Sequence, residues 1–291
     1  MAMIPIRTSI PIIYLFFCAL ILVTPVHAQP SAYLDKTLST PDLTQTDPHG
    51  HFADGGINYC APVAVSDSFI WLTEHGYPNL LPTSSASAQI LTPGEKLFNS
   101  QIMLARILSS PEFMNTKGQE GTEVDEVLAG VKHYVLKQGY SIKRLEYQGF
   151  RSISPEFDGG LRHPRLAWLK EGIIGKSAVW LNLGWYQYIS QSNTYVRMGG
   201  HWVTLVGYGV DENNQPANNV LIIHNPSPRA GLTFHNDFCR LQPIDGVLVS
   251  RKVLLGFPRP GMGFYKIVSG LPAIPKCDTA ILEGAIVLEL Y

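Results

Sequence analysis

Three nearly continuous apolar runs, residues 178–183, 202–208 and 220–225, fall in the second half of the chain, each bounded by turn residues. Runs of that length, without helical periodicity, read as strands buried on both faces. They commit this half of the chain to a sheet with its own core. Residues 211–219 form a polar hairpin loop between the second and third runs, and further strands are expected at 247–255, 264–268 and 280–290.

Upstream the period is helical. Val63, Val65, Phe69, Ile70 and Leu72 give a broad apolar face after Cys60, with Pro62 in the first turn and Gly76 as a stop. A second helix is expected over 95–108. A third, capped by Thr122, carries Val124, Val127, Leu128, Val131, Tyr134 and Val135 at helical spacing and ends at Gly139. Residues 141–147 alternate like a short strand, and 166–170 read as a short helix. Helices first and strands afterwards describe an α+β fold. With no repeat or dividing linker, residues 56–291 are expected to form one domain behind an arm or loop at 29–55.

Composition excludes some functions. Lys and Arg number 22 against 23 Asp and Glu, with no basic tract, which argues against a nucleic-acid partner. Residues 1–28 read as an export signal: Arg7, an apolar run from Ile10 to Val23, then Val26-His27-Ala28 as a cleavage site. The run is short of the roughly 20 residues a membrane span needs, so a secreted or periplasmic chain with no stable span is expected. Cys18 follows Phe17, where an acylation signal wants a small residue, and leaves with the signal. Of the three remaining cysteines, a Cys239–Cys277 disulfide with Cys60 as a thiol is the simplest arithmetic, with no bridge at all the alternative.

A thiol at a helix N-terminus sits near unpaired N–H groups, which favour thiolate. Used as a nucleophile, it needs a histidine to take its proton and an amide or carboxylate to orient that ring. His201 follows Gly199-Gly200 and opens a buried strand; His224 and His235 are the runners-up, and His49, His51, His75, His133 and His163 have weaker contexts. Asn225 ends the next strand before Pro226, and hairpin pairing of the two strands is expected to bring it beside His201. His49 and His51, among nearby carboxylates, lack a third ligand at a metal-binding spacing and read as a polar loop. No metal and no cofactor are expected. Trp185, Tyr186, Tyr188 and Tyr195 read as core aromatics, with a cleft wall as the alternative.

Cysteine at a helix start, then Gly199-Gly200-His201-Trp202-Val203-Thr204-Leu205-Val206-Gly207-Tyr208-Gly209, then an apolar strand ending Asn225-Pro226 resembles the papain-like cysteine peptidases. Within them it is most similar to the bacterial branch that processes bacteriocin leaders. The likeness covers residues 56–76 and 166–228 and is loose between. It implies a helical half packed on an antiparallel β half, with Cys60 as nucleophile, His201 as base and Asn225 as orienting group at the cleft. Peptide or isopeptide bonds are the implied substrates. Two positions depart from the family. Ala61 replaces its usual glycine, and Asp54 stands where a glutamine donates to the oxyanion. An ionised carboxylate only accepts hydrogen bonds, so Asn58 with the Cys60 backbone N–H is the expected replacement. An acyl transferase on the same triad, or a papain-like binding module without turnover, are the alternatives.

Overall fold

The computed structural model describes residues 29–82, 93–227, 235–250, 258–272 and 274–291. The export signal expected at 1–28 lies outside the described residues. Helix α1 (Cys60–Glu74) begins at the expected cysteine, and every residue from Ala61 to Leu72 is buried. With even Ser66, Asp67 and Ser68 buried, the helix sits inside the molecule. It packs on α2 (Pro93–Ser109), α3 (Val124–Lys137) and the strands behind it. Glu123, not Thr122, is the N-cap of α3; its N–H is taken by the Glu126 side chain at 2.9 Å. A fourth helix, α4 (Leu166–Gly172), precedes the main run of strands. No helix among the described residues is long and apolar enough to cross a membrane.

Nine strands form one mostly antiparallel sheet: β1 (Ile142–Gly149), β2 (Ser177–Ile189), β3 (Thr194–Val210), β4 (Pro216–His224), β5 (Asp237–Pro243), β6 (Val247–Ser250), β7 (Arg259–Pro260), β8 (Tyr265–Ser269) and β9 (Thr279–Leu290). β2 pairs with both β3 and β9, and β3 continues through β4, β5 and β8 back to β9. These six strands therefore close into an antiparallel barrel. Its interior is filled by inward positions such as Leu181, Leu183, Val203, Leu205, Leu221, Ile223, Leu241 and Leu282, as a barrel this small requires. The outward face of β2 and β3 carries Trp180, Trp202 and Thr204 against α1. Trp180 donates its indole N–H to the Ala64 carbonyl at 3.2 Å and packs edge-on against Phe69.

The structure differs from the expected strand list in physical detail. β5 and β7 were not visible as apolar runs: β5 is 237–243, where polar and apolar residues mix because only one face meets the barrel interior. β6 is described only to Ser250, and the remainder of the strand expected at 247–255 lies outside the described residues. The polar loop between β3 and β4 is shorter than 211–219, since β4 already begins at Pro216. Cys239 and Cys277 are not joined. Cys239 faces the barrel interior among Leu221 and Leu241, whereas Cys277 lies in the turn before β9. Strand β8 separates β5 from β9. Two strand spacings of nearly 5 Å exceed the Cα separation a disulfide spans.

The segment at 29–55 is packed rather than loose. Tyr33 exchanges two backbone hydrogen bonds with Tyr208 of β3, both at 3.0 Å, and Leu43 is buried beside α1. It crosses from the barrel to the helices.

Candidate active site

Strand β3 is unusually long because it serves two partners on one edge. Residues 194–197 pair with β6 and residues 204–210 with β4, so 198–203 have no partner strand on that edge among the described residues. His201 and Trp202 lie in this gap. The start of α1 comes to the same place: the Trp202 backbone N–H faces the Cys60 sulfur and favours its thiolate.

His201 and Asn225 are brought together. His201 Nε2 lies 2.7 Å from Asn225 Oδ1. Hairpin register alone does not do this, because Thr204 pairs with His224 and β4 ends there. Asn225 has left the strand, and its side chain reaches back along β3. Its oxygen also accepts from the Ser227 N–H at 3.2 Å, which identifies that atom as the carbonyl oxygen. Nε2 must then be the protonated nitrogen, leaving the Nδ1 lone pair available. Asn225 is buried, and its Nδ2 has no hydrogen-bond partner among the described residues.

Cys60 is half-buried at the first position of α1. Tyr59 makes no side-chain cap, so the first-turn amides are not spent on one. Burial pushes the thiol up to about 11, while the backbone N–H groups of Trp202, Ala61 and Cys60 itself pull the other way. Burial also lowers the His201 imidazole, offset in part by Asn225. Both groups are thus neutral at rest, and no hydrogen bond joins Cys60 to His201. Such a set supports proton transfer during attack rather than a standing ion pair.

The Asn58 amide expected to serve an oxyanion is engaged elsewhere, and so is the Asp54 carboxylate that stands at the family's glutamine position. Asn58 donates its amide to the Gly118 carbonyl at 2.5 Å. Asp54 is exposed, in a left-handed turn with φ 50°, and its carboxylate lies against Gly118. Donors to a developing negative charge are therefore the backbone N–H groups at the helix start.

Two residues that shape the site carried no usable sequence signal. Gln45 is buried beneath the segment that leads into Cys60. Its amide donates to the Gly56 carbonyl at 3.1 Å and to the Ile57 carbonyl, while its backbone N–H bonds the Pro226 carbonyl at 2.8 Å. One residue, through its backbone N–H and its side chain, thereby ties the Asn225 turn to the Cys60 turn. Trp202 covers the outer side and donates its indole N–H to the Thr122 carbonyl at 3.3 Å. Of the four aromatics read as core, Tyr186 and Tyr195 are buried, but Tyr188 is exposed. Trp185 is half-buried, with its ring centre 6.2 Å from the His201 ring. His224 is buried structurally, bonded to the Pro41 carbonyl at 3.0 Å, and His235 contacts Asp237 at 3.3 Å. No model of a known protein family matches this chain, and no curated protein matches it significantly in sequence.

Proposed function

We propose that the chain is a papain-like cysteine peptidase or amide hydrolase that cleaves peptide or isopeptide bonds outside the cytoplasm. The observation that carries the reading is the 2.7 Å contact of His201 Nε2 with Asn225 Oδ1, made at a strand edge that also meets the helix-start thiol of Cys60. Helices packed against a closed antiparallel barrel agree with the two halves that the resemblance implies.

In this reading His201 takes the thiol proton at Nδ1 as the Cys60 sulfur attacks the substrate carbonyl carbon. The negative oxygen of the tetrahedral intermediate rests on the Cys60 and Ala61 backbone N–H groups. The C–N bond then breaks, His201 gives its proton to the departing amine, and a thioester remains. Water, deprotonated by the same nitrogen, releases the acid and regenerates the thiol. Asn225 holds the ring in one tautomer throughout.

A second reading, a binding module on the same frame, is favoured by one observation. The Asn58 amide is spent on Gly118, and loss of one oxyanion donor costs about a hundredfold or more in rate. One experiment separates the two. Alkylation of Cys60 by iodoacetamide near neutral pH is expected to be faster in the wild-type chain, where His201 can take the thiol proton during attack, than in His201→Ala, with both profiles rising toward the raised thiol value of about 11 and peptide hydrolysis lost in Cys60→Ser. Identical pH profiles with and without His201 would remove the catalytic reading. Incorporation of a labelled amine in preference to hydrolysis would turn it into acyl transfer.

A further inference from the structure

Beside the gap in β3 lies a second polar cluster that the proposed chemistry does not use. Glu283, in β9, is wholly buried. Arg197 grips it with Nε at 2.6 Å and Nη2 at 3.1 Å, and Tyr186 donates to it at 2.6 Å. That carboxylate is therefore fully engaged. Arg151 is placed differently. It stands 3.9 Å from Glu283 and 3.9 Å from Glu123, too far to hydrogen-bond either, and its buried Nε has no hydrogen-bond partner among the described residues. Glu123 is itself 69% exposed and solvated. Arg259 adds a third guanidinium, sharing the Phe150 ring with Arg151 at 5.9 and 5.2 Å. Arg197 and Arg151 thus flank one buried carboxylate, with Arg259 against the Phe150 ring that Arg151 also meets.

The cluster is built into the wall of the proposed cleft. Gly184 and Gly200 pair across β2 and β3, one residue from the Leu183–His201 pair. A Cβ at Gly200 would come within 2.5 Å of Arg197 Nη2, and one at Gly184 would overlap the Glu283 carboxylate. Gly184 leaves room for the Glu283 carboxylate and Gly200 for the Arg197 guanidinium, one residue along the strands from the Leu183–His201 pair. Glu123 stands at the start of α3, one residue after the Thr122 carbonyl that holds Trp202.

We infer that Arg151 is the anion receptor of a substrate subsite, and that the preferred substrate carries a carboxylate near the bond cut at Cys60. A carboxylate there would accept from the Arg151 Nη groups, which hydrogen-bond neither glutamate, and outcompete the distant Glu123. Its source is an acidic side chain or a free chain end. This inference rests on the proposed function for the direction of the cleft, but its test needs no reactive thiol.

The test is an NMR titration of Cys60→Ser protein, reading the Arg151 Nε–H signal. Three acetylated pentapeptides Ala-Ala-Xaa-Ala-Ala are compared: Glu with an amidated end, Gln with a free carboxylate, and Gln with an amidated end. One carboxylate peptide is expected to bind about tenfold tighter than the neutral one, as a charge-assisted contact allows, and which one does so identifies the source. The advantage should shrink in 0.5 M salt and vanish in Arg151→Gln, where Arg197 still holds Glu283. Glu123→Gln, which keeps the N–H taken by Glu126, should tighten carboxylate binding. Equal binding of all three, no binding, or a preference that survives Arg151→Gln would overturn the subsite. If Cys60 alkylation fails its own test while the carboxylate preference holds, the site is a carboxylate-binding groove without turnover.

Discussion

At the scale of single residues, the state of His201 is set by what covers it. Burial holds its imidazole below the ordinary histidine value, and Asn225 compensates only in part. Trp185 is one of those covers, tilted 33° to the imidazole across 6.2 Å. Removing the indole opens the ring to water without touching the Asn225 bond. Trp185→Ala is therefore expected to raise the His201 pKa toward the reference value of about 6.5, read from its Cε1 proton by NMR titration. A pKa that stays put would mean that the strand and Asn225, rather than Trp185, exclude water there. His201 itself was legible in sequence because glycines and a buried strand flank it. Trp185 was not, because nothing in a Trp-Tyr pair tells which ring faces the core.

At the scale of an element, α1 carries a buried acid as well as the thiol. Asp67 lies inside the molecule, accepting from the Leu43 N–H at 3.4 Å and from the Gln101 amide. Its other oxygen is 3.3 Å from Thr204 Oγ1, whose proton is directed at the Ala64 carbonyl 2.8 Å away. With that proton spent, the favourable partner is a protonated Asp67 donating to Thr204. Burial, with Asp42 nearby, raises Asp67 well above the usual carboxylate range. The linkage has a definite sign. Stability from the neutral acid is fully present below the unfolded pKa of about 3.9 and is lost as pH rises through the raised folded value. Asp67→Asn supplies the same donor at every pH. It should match the wild-type unfolding midpoint near pH 4 and exceed it by a few degrees at pH 8, measured by thermal circular dichroism. Equal midpoints at both pH values would show that Asp67 is charged in the fold.

At the scale of the whole molecule, the segment from Tyr33 to Gln45 straps the barrel to the helices. Its strangest member is Lys36, buried with Nζ 2.6 Å from the Ser177 carbonyl and 4.3 Å over the Trp71 ring. Burial lowers its pKa to about 7, against the pull of Asp35. A base depressed in the fold contributes stability that is present above its unfolded pKa, near 10.4, and is lost as pH falls to the folded value. Lys36→Met keeps the length and the contact with Trp71 while removing the proton. Its midpoint should exceed the wild type's at pH 6, with the gap closing toward pH 10. A gap independent of pH would mean that Lys36 stays charged in place, supported by Trp71.

Much of the architecture was readable from the chain alone. Continuous apolar runs read as strands with two buried faces, and a broad apolar face at helical spacing lays a helix on the core, so the α+β order and the start of α1 at Cys60 followed from burial. Local chemistry also singled out His201 and Asn225. Barrel closure did not follow, because β5 pairs through one face and reads as mixed polarity. The fate of Cys239 depended on that closure. The contact of His201 with Asn225, and of the Cys60 sulfur with the Trp202 N–H, depended on something no periodicity records: among the described residues β3 gives its two ends to different partners and leaves its middle open on that edge. Gln45, far upstream, then braces both turns beside that gap. Sequence determines which side chains must be buried and which can do chemistry. Only the tertiary pairing decides where a strand edge is left open for them to meet.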